Sequence, residues 1–320
     1  VTKDAVFRKG HIIREEDIPV LLSVGKDSVY IWENDETMMH ENDAAEVLYR
    51  MTANEHMHPS DVKEGKIEAI ADTEGLLKVD REKLKKVNAF GEMMIATRHG
   101  NTVVKKGDKL AGTRIIPLVI KKDKMQEAEK ICDGTPILKI LPFTVKKAAI
   151  ITTGNEVYHG RIKDAFTPVI EQKIAEFGAE MMFHEIFDDN DRKITDGCLR
   201  AIEAGADIVF CTGGMSVDPD DKTPLAIKNT GAEMISYGSP VLPGAMFLLS
   251  YYRKGDKVIP ICGLPGCAMY NRRTIFDLVL PRLMAADPVT ADELASLGEG
   301  GLCLNCKVCT FPNCGFGKGW

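Results

Sequence analysis

The spacing of apolar residues divides the chain into two parts. From residue 146 onward, four short apolar runs are typical of buried strands: 148–151, 181–187, 208–211 and 257–262. Amphipathic stretches at 164–177 and 191–204 separate them and end at glycines, which predicts helices, and a long helix is predicted from the last strand to Met284. Strand–helix alternation at this spacing predicts βαβ units and a largely parallel sheet, hence an α/β fold.

Residues 1–145 lack this alternation. Apolar residues at helical spacing predict a helix over 43–52, and β-rich composition predicts strands at 10–13, 28–32 and 109–120. We expect an accessory domain of α+β or β-rich type over 1–145, and an α/β domain over 146–285. Residues 286–320 are rich in Asp, Pro and Gly and lose periodicity, which predicts a linker ending in a cysteine-rich tail.

Length, net charge and the lengths of the apolar runs exclude some classes of protein. A length of 320 residues suggests two domains. A net charge of −6 argues against a nucleic-acid partner, and no apolar run approaches the roughly 18 residues of a membrane span. The chain starts at Val1, with no initiator Met and no secretory segment, which suggests a missing N-terminal piece and a cytoplasmic location.

Three loops follow predicted strands and could carry chemistry: 152–156, 212–224 and 263–266. Ligands of open parallel sheets bind beyond the carboxyl ends of the strands. Paired glycines such as Gly213-Gly214 let backbone N–H groups approach an anion, and Ser216 adds a hydroxyl. Glycines also make ordinary tight turns, but three such loops at one sheet edge favour a ligand site.

Carboxylates in these loops would repel an anion unless a divalent metal bridges them. Asp221 and the pair Asp188-Asp189 are therefore candidate Mg²⁺ ligands. Alternatively, they belong to a solvated loop or to the N-cap of the helix that begins at Asp191.

The loops together resemble one family. The segment Thr212-Gly213-Gly214-x-Ser216-Val217-x-x-x-Asp221-x-Thr223-Pro224 resembles the signature loop of the molybdopterin-binding domain shared by MogA, MoeA and gephyrin. Gly154-Asn155-Glu156, Pro243-Gly244 and Gly263-Leu264-Pro265-Gly266 are similar to three further segments of that family, in the same order. The resemblance covers about residues 146–285. The N-terminal half resembles MoeA accessory domains more weakly.

The resemblance implies a three-layer α/β domain that binds molybdopterin or its adenylate, with Mg²⁺. It implies that Asp221, Glu156 and Asp188 act in the chemistry, that Asp189 and Asp221 hold the metal, and that the glycine loops hold the ligand. The implied ligand-binding residues are Thr153, Gly154, Asn155, Thr212, Gly213, Gly214, Ser216, Pro243, Gly244, Gly263, Leu264, Pro265 and Gly266.

Three departures bear on the chemistry. Asn155 stands where the family has an acid, Ala245-Met246 where it has Lys-Pro, and Cys267-Ala268 where it has Asn-Pro. Losing a cation beside an oxyanion weakens the stabilisation of developing charge. These departures predict that ligand binding is retained even where the catalytic activity is lost.

Four of the nine cysteines crowd into the last 18 residues: Cys303, Cys306, Cys309 and Cys314. Thiolates this close repel one another unless a metal neutralises them. The first three spacings resemble ferredoxin-type ligation of a 4Fe–4S cluster, although the last gap is one residue longer. A four-cysteine zinc site is the rival, and reducible thiols without metal are the third alternative.

The sequence thus favours a protein of molybdenum-cofactor biosynthesis, with MoeA-like transfer of molybdate to adenylylated molybdopterin as the preferred reaction. A non-catalytic molybdopterin carrier or sensor, and a redox accessory protein using the cysteine tail, are the alternatives. The sequence leaves two questions open: whether the chain forms a homodimer, and whether it has partner proteins among molybdoenzymes or cofactor-biosynthesis proteins.

Overall fold

A computed structural model of the chain describes residues 6–7, 11–29, 35–215 and 221–319. Within these ranges, no helix combines the length and apolar character needed to cross a bilayer. The strand predicted at 10–13 is wrong for residues 11–13, which are exposed and pair with no described strand. Of the strand predicted at 28–32, residues 28 and 29 are irregular and the others lie outside the described ranges.

The N-terminal part begins with a short 3₁₀ helix, Glu15–Asp17. Its α-helices are α1 (Ile18–Ser23), α2 (Glu41–Thr52), α3 (Arg81–Asn88) and α4 (Lys122–Cys132). Its strands are β1 (Met38–His40), β2 (Met57–Pro59), β3 (Lys66–Ala71), β4 (Gly75–Val79), β5 (Met93–Thr97), β6 (Thr102–Val104), β7 (Lys109–Ile115), β8 (Val119–Lys121) and β9 (Leu138–Leu141).

Antiparallel sheets and helices share one apolar core in this part. The strand orders are β2-β3-β7-β5, β6-β4-β9 and β1-β8. Helix α2 buries one apolar face, including Val47 and Leu48, as its helical spacing predicts. The strand predicted over 109–120 is two strands, β7 and β8, because Pro117 lies in the turn between them and cannot donate a ladder hydrogen bond. The α+β expectation is confirmed.

The C-terminal part is built on a six-stranded sheet. Its strands are β10 (Lys147–Thr153), β11 (Glu180–Phe187), β12 (Ile208–Thr212), β13 (Glu233–Tyr237), β14 (Leu248–Lys254) and β15 (Lys257–Leu264). Its helices are α5 (Asn155–Tyr158), α6 (Phe166–Ala175), α7 (Asp191–Glu203), α8 (Thr223–Asn229), α9 (Cys267–Tyr270), α10 (Ile275–Met284) and α11 (Ala291–Ser296).

The strand order is β11-β10-β12-β15-β14-β13. The first four strands are mutually parallel, β14 pairs antiparallel with β15, and β13 pairs antiparallel with β14. The predicted parallel sheet is confirmed for those four strands. The sequence analysis missed β13 and β14, which form a hairpin-like edge added to β15.

Helices cover both faces of this sheet. Ala148 and Ile150 of β10 pack on one face with residues of α6 and α10, whereas Ala149 and Ile151 pack on the other with residues of α7 and α8. This alternation is the two-residue period of a strand buried on both sides. The three-layer α/β architecture is therefore confirmed.

Two predictions for the C-terminal end need correction. The single helix predicted up to Met284 is two helices, because Thr274 and Asp277 form a capping box that starts α10 anew. The linker predicted after residue 285 contains helix α11, and the tail packs on the domain through Phe316, which belongs to its apolar core.

Asp277 is the centre of a buried ion cluster at the start of α10. Its side chain is 4% exposed and accepts hydrogen bonds from Lys173, from Arg273 at 2.8 Å and from the Thr274 backbone N–H at 2.8 Å. The carboxylate therefore joins α6 to α10 and balances two cations.

We predict that Asp277→Ala lowers the free energy of unfolding by about 3–5 kcal/mol, because it leaves two cations in a buried site without their counter-charge. Urea unfolding followed by circular dichroism measures this. Glu171→Ala, an exposed position on α6, is the control and should cost less than about 0.5 kcal/mol. Equal unfolding midpoints for the two variants would refute the role given to Asp277.

Candidate ligand-binding crevice

A cavity of about 660 Å³ lies beyond the carboxyl ends of β10 and β12. Its walls come from the loops that follow these strands, from the loop that follows β11 and from helix α9. The lining residues are 152–157, 162–166, Asp189, Gly213, Gly214, Asp221, Met269 and Tyr270. Three separate crossover connections thus converge on one cavity, as the topology of a parallel sheet predicts.

The Gly213-Gly214 turn is pressed against strand β10. Both glycines have left-handed backbone conformations, with φ of 81° and 53°. A Cβ on Gly213 would lie 2.0 Å from the Thr153 carbonyl oxygen, so no other residue fits there. The Thr153 hydroxyl donates to the Thr212 carbonyl at 3.1 Å and lies 3.0 Å from the Thr223 hydroxyl. These contacts fix the turn at the cavity wall.

Carboxylates of three loops influence one another at the cavity. Burial raises the pKa of Asp189, and repulsion from Glu156, Asp221 and Asp188 raises it further, while the Asn155 backbone N–H at 3.2 Å partly offsets both effects. Excess negative charge of this kind is what a bound cation relieves.

Asp188 lies beside Asp189 at the end of β11. One of its carboxylate oxygens accepts a hydrogen bond from Lys193 at 2.8 Å. The other is buried, and no described residue hydrogen bonds to it. The buried Thr212 hydroxyl likewise lacks a partner among the described residues. Both atoms lie next to residues that line the cavity.

The carboxylates suit a metal shared with a ligand. In the described ranges, no three His, Cys, Asp or Glu side chains form a group able to hold an ion by themselves. Mg²⁺ commonly takes only one or two carboxylates and completes its coordination with water and phosphate oxygens. Asp189 and Asp221 both line the cavity, and this pair fits such a site.

The sequence analysis missed Lys163, the one basic side chain among the described residues that line the cavity. It also missed Tyr270, which lines the cavity while 80% exposed. A lysine just before a predicted helix, in the same connection as Gly154-Asn155-Glu156, was the available signal for Lys163. No pattern distinguishes Tyr270 from an ordinary exposed residue.

Asp164 is the third residue of the cavity wall that was not predicted from the sequence. It accepts hydrogen bonds from Thr152 at 2.9 Å and from the backbone N–H groups of Phe166 and Thr167 at 2.8 and 3.1 Å. Burial opposes ionisation, but these hydrogen bonds keep the pKa of Asp164 below its ordinary value. Asp164 therefore caps α6 as a carboxylate and holds the wall in place.

Several residues implied by the resemblance lie elsewhere. Gly263 and Leu264 are buried inside β15, and Pro265-Gly266 leads into α9 without lining the cavity. Pro243 lines a different cavity, beside the cysteine tail, and Gly244 packs against Ile275. Ser216 lies outside the described residues.

The C-terminal part of the chain is thus a three-layer α/β domain with a crevice, lined by glycines and carboxylates, at the carboxyl edge of its sheet. Residues 149–285 match the family described as "Probable molybdopterin binding domain". Residues 1–33 match a domain of unknown function.

Curated relatives match only part of the chain. A protein of Bacillus cereus (strain B4264), named for competence-damage induction, is 30% identical over 129 residues, which is 40% of this chain and 30% of that protein. A protein of Bacillus subtilis (strain 168) with the same name is 32% identical over 85 residues, 27% of this chain and 20% of that protein. The matches thus span less than a third of these relatives.

Solved structures are similar to part of the chain. The tungsten cofactor synthesizing protein MoaB from Pyrococcus furiosus has a TM-score of 0.38 and 18% identity, covering 45% of this chain and 98% of that one. The molybdopterin biosynthesis moeA protein from Pyrococcus horikoshii OT3 has a TM-score of 0.31 and 15% identity, covering 57% of this chain and 42% of that one.

We predict that Asp189→Asn stabilises the ligand-free protein at neutral pH. Folding raises the pKa of Asp189 above its ordinary value of 3.8. The free energy of unfolding of the wild type therefore falls as the pH rises from 3.8 to the raised pKa of the folded protein. The variant lacks this loss, and its advantage should disappear as the pH falls to 3.8.

Thermal unfolding of both proteins without metal, at a series of pH values, measures this difference. Asp196→Asn, at an exposed position on α7, is the control and should follow the wild type. An advantage of Asp189→Asn that does not change with pH would contradict the electrostatic explanation.

Proposed function

We propose that the crevice binds molybdopterin or its adenylate and that the protein exchanges the adenylyl group for molybdate, with Mg²⁺. The observation that carries the proposal is the convergence of the Gly213-Gly214 turn, Asp189, Asp221 and Lys163 on one cavity of about 660 Å³, in a domain that matches the molybdopterin-binding family.

The cavity offers separate places for the parts of this ligand. The tight Gly213-Gly214 turn brings backbone close to the phosphate without a side chain between them. Lys163 supplies the positive charge. Tyr270 provides an exposed aromatic ring at the wall, against which the planar pterin stacks.

The carboxylates have two roles in this proposal. Asp189 and Asp221 hold the Mg²⁺, which when bound offsets the negative charge of the phosphates. Glu156 and Asp188 lie close enough to affect the ionisation of Asp189, and they accept hydrogen bonds from the ligand or from water at the metal. In this exchange, the phosphoanhydride bond of the adenylate is cleaved with water and AMP leaves, while molybdate binds the two dithiolate sulfurs and one of its oxygens leaves as water.

A non-catalytic carrier is the second candidate, because cations are scarce at the cavity. Ala245-Met246 replaces the Lys-Pro of the family, and its neighbour Pro243 lies beside the cysteine tail rather than at the crevice. Lys163 is left as the one basic side chain among the described lining residues. A carrier would pass the cofactor to a molybdoenzyme or to another biosynthesis protein.

We expect Asp221→Asn to lower the rate of molybdate-dependent AMP release by roughly 100-fold or more, because the metal loses a charged ligand at the phosphate. Chromatographic measurement of AMP from molybdopterin adenylate with Mg²⁺ tests this. Asp196→Asn should keep the wild-type rate. If wild-type protein binds the adenylate but releases no AMP, the protein is a carrier and not a transferase.

We expect Lys163→Gln to weaken molybdopterin binding by about 10-fold or more, since a hydrogen bond to a charged group contributes about 1.5–3 kcal/mol. Calorimetric titration measures the affinity, with the exposed Lys228→Gln as a matched control that should bind like the wild type. Absence of binding by the wild-type protein would overturn both candidate functions.

A further inference from the structure

The four cysteines of the tail line one cavity. A cavity of about 260 Å³ is bounded by Cys303, Cys306, Cys309 and Cys314, together with Phe311 and Phe316. No disulfide joins these thiols. The fold therefore gathers four metal-ligating side chains around one empty volume, outside the crevice that serves the proposed function.

The outer two cysteines are held by the domain. The backbone N–H of Cys303 donates to the Leu242 carbonyl at 2.8 Å. Cys314 is half-buried against the apolar core, two residues before Phe316, which is 6% exposed. These contacts fix both ends of the cysteine segment.

The inner two cysteines lie on the outside of the same segment. Cys306 and Cys309 are exposed, in irregular backbone between the two fixed ends. Arg272 donates to the Lys307 carbonyl at 3.3 Å, which ties the loop to the start of α10. The cysteine segment is thus joined to the domain at both ends and near its middle.

The spacing of the cysteines favours a cluster over one zinc ion. Two residues separate Cys303 from Cys306 and Cys306 from Cys309, which is the spacing of ferredoxin-type cluster ligation. Four-cysteine zinc sites usually take their ligands from two separated pairs of cysteines. All four cysteines of the tail line one cavity.

The surroundings suit a negatively charged cluster. Four thiolates on a cubane of two ferric and two ferrous ions leave a net charge of −2. Arg273 interacts with the Cys309 sulfur and lies 4.8 Å from the centre of the Phe311 ring. No acidic residue follows Glu299 in the sequence, and Phe311 and Phe316 limit access of water.

We propose that Cys303, Cys306, Cys309 and Cys314 bind a 4Fe–4S cluster in this cavity. The proposal rests on the cysteine segment and does not depend on what the crevice binds.

The cluster site and the crevice share a wall. Met269 and Tyr270 line the crevice, whereas the next three residues, 271–273, line the cysteine cavity. The shared segment is short and connects α9 to α10. A cluster would therefore hold in place the segment that carries Tyr270.

The test is anaerobic reconstitution of the full chain with equal amounts of ferrous and ferric iron and with sulfide, followed by iron and sulfide analysis and visible absorbance spectroscopy. We expect about four iron and four sulfide per chain, with broad sulfide-to-iron charge-transfer absorbance that bleaches on reduction. Parallel incubation with zinc alone tests the rival. One tightly held zinc with no cluster formed, or no metal bound, would overturn the proposal.

Single substitutions locate the cluster. Cys306→Ser and Cys309→Ser change exposed side chains, so both variants should fold, and we expect each to retain less than about a tenth of the charge-transfer absorbance. Cys267→Ser, outside the cavity, is the matched control and should keep the full cluster. Wild-type iron content in both tail variants would refute the assignment. Circular dichroism and crevice-ligand titration show whether each variant is folded.

Discussion

The close approach of the Gly213-Gly214 turn to the end of β10 is the constraint on which the crevice depends. A Cβ at Gly213 would lie 2.0 Å from the Thr153 carbonyl oxygen, so two neighbouring strand ends can meet only because a side chain is absent. The Thr153 hydroxyl donates a hydrogen bond to the Thr212 carbonyl and lies within hydrogen-bond distance of the Thr223 hydroxyl. The turn, β10 and the start of α8 are fixed together, and the cavity lies beside them.

Charge distinguishes this crevice from a general anion site. Burial raises the pKa of Asp189, and carboxylates from the loops after β10, β11 and β12 raise it further. Lys163 is the one basic side chain among the described residues that line the cavity. The function that we propose therefore pairs the anionic ligand with Mg²⁺. Transferase and carrier are the two proposed functions that experiments have to separate.

The cysteine tail packs against the C-terminal domain. Phe316 buries in the domain core and Cys303 bonds to the backbone of Leu242, so the cysteine segment is part of the folded domain. The segment between α9 and α10 separates the two cavities. The cluster that we propose in the cysteine tail would therefore contact the same segment as the ligand of the crevice, although the tail and the crevice loops are distant in sequence.

The sequence by itself determined the parallel strands, the glycine loops and the cysteine spacing, because each follows from residues close together along the chain. Strands β13 and β14 and the break between α9 and α10 were not recognised, since they depend on edge pairing and on a capping box inside an apolar stretch. Only the tertiary structure shows that Lys163 and Tyr270 line the crevice and that Pro243 lines the cysteine cavity instead. The reason is that packing between elements distant in sequence, rather than local periodicity, decides which side chains line the same cavity.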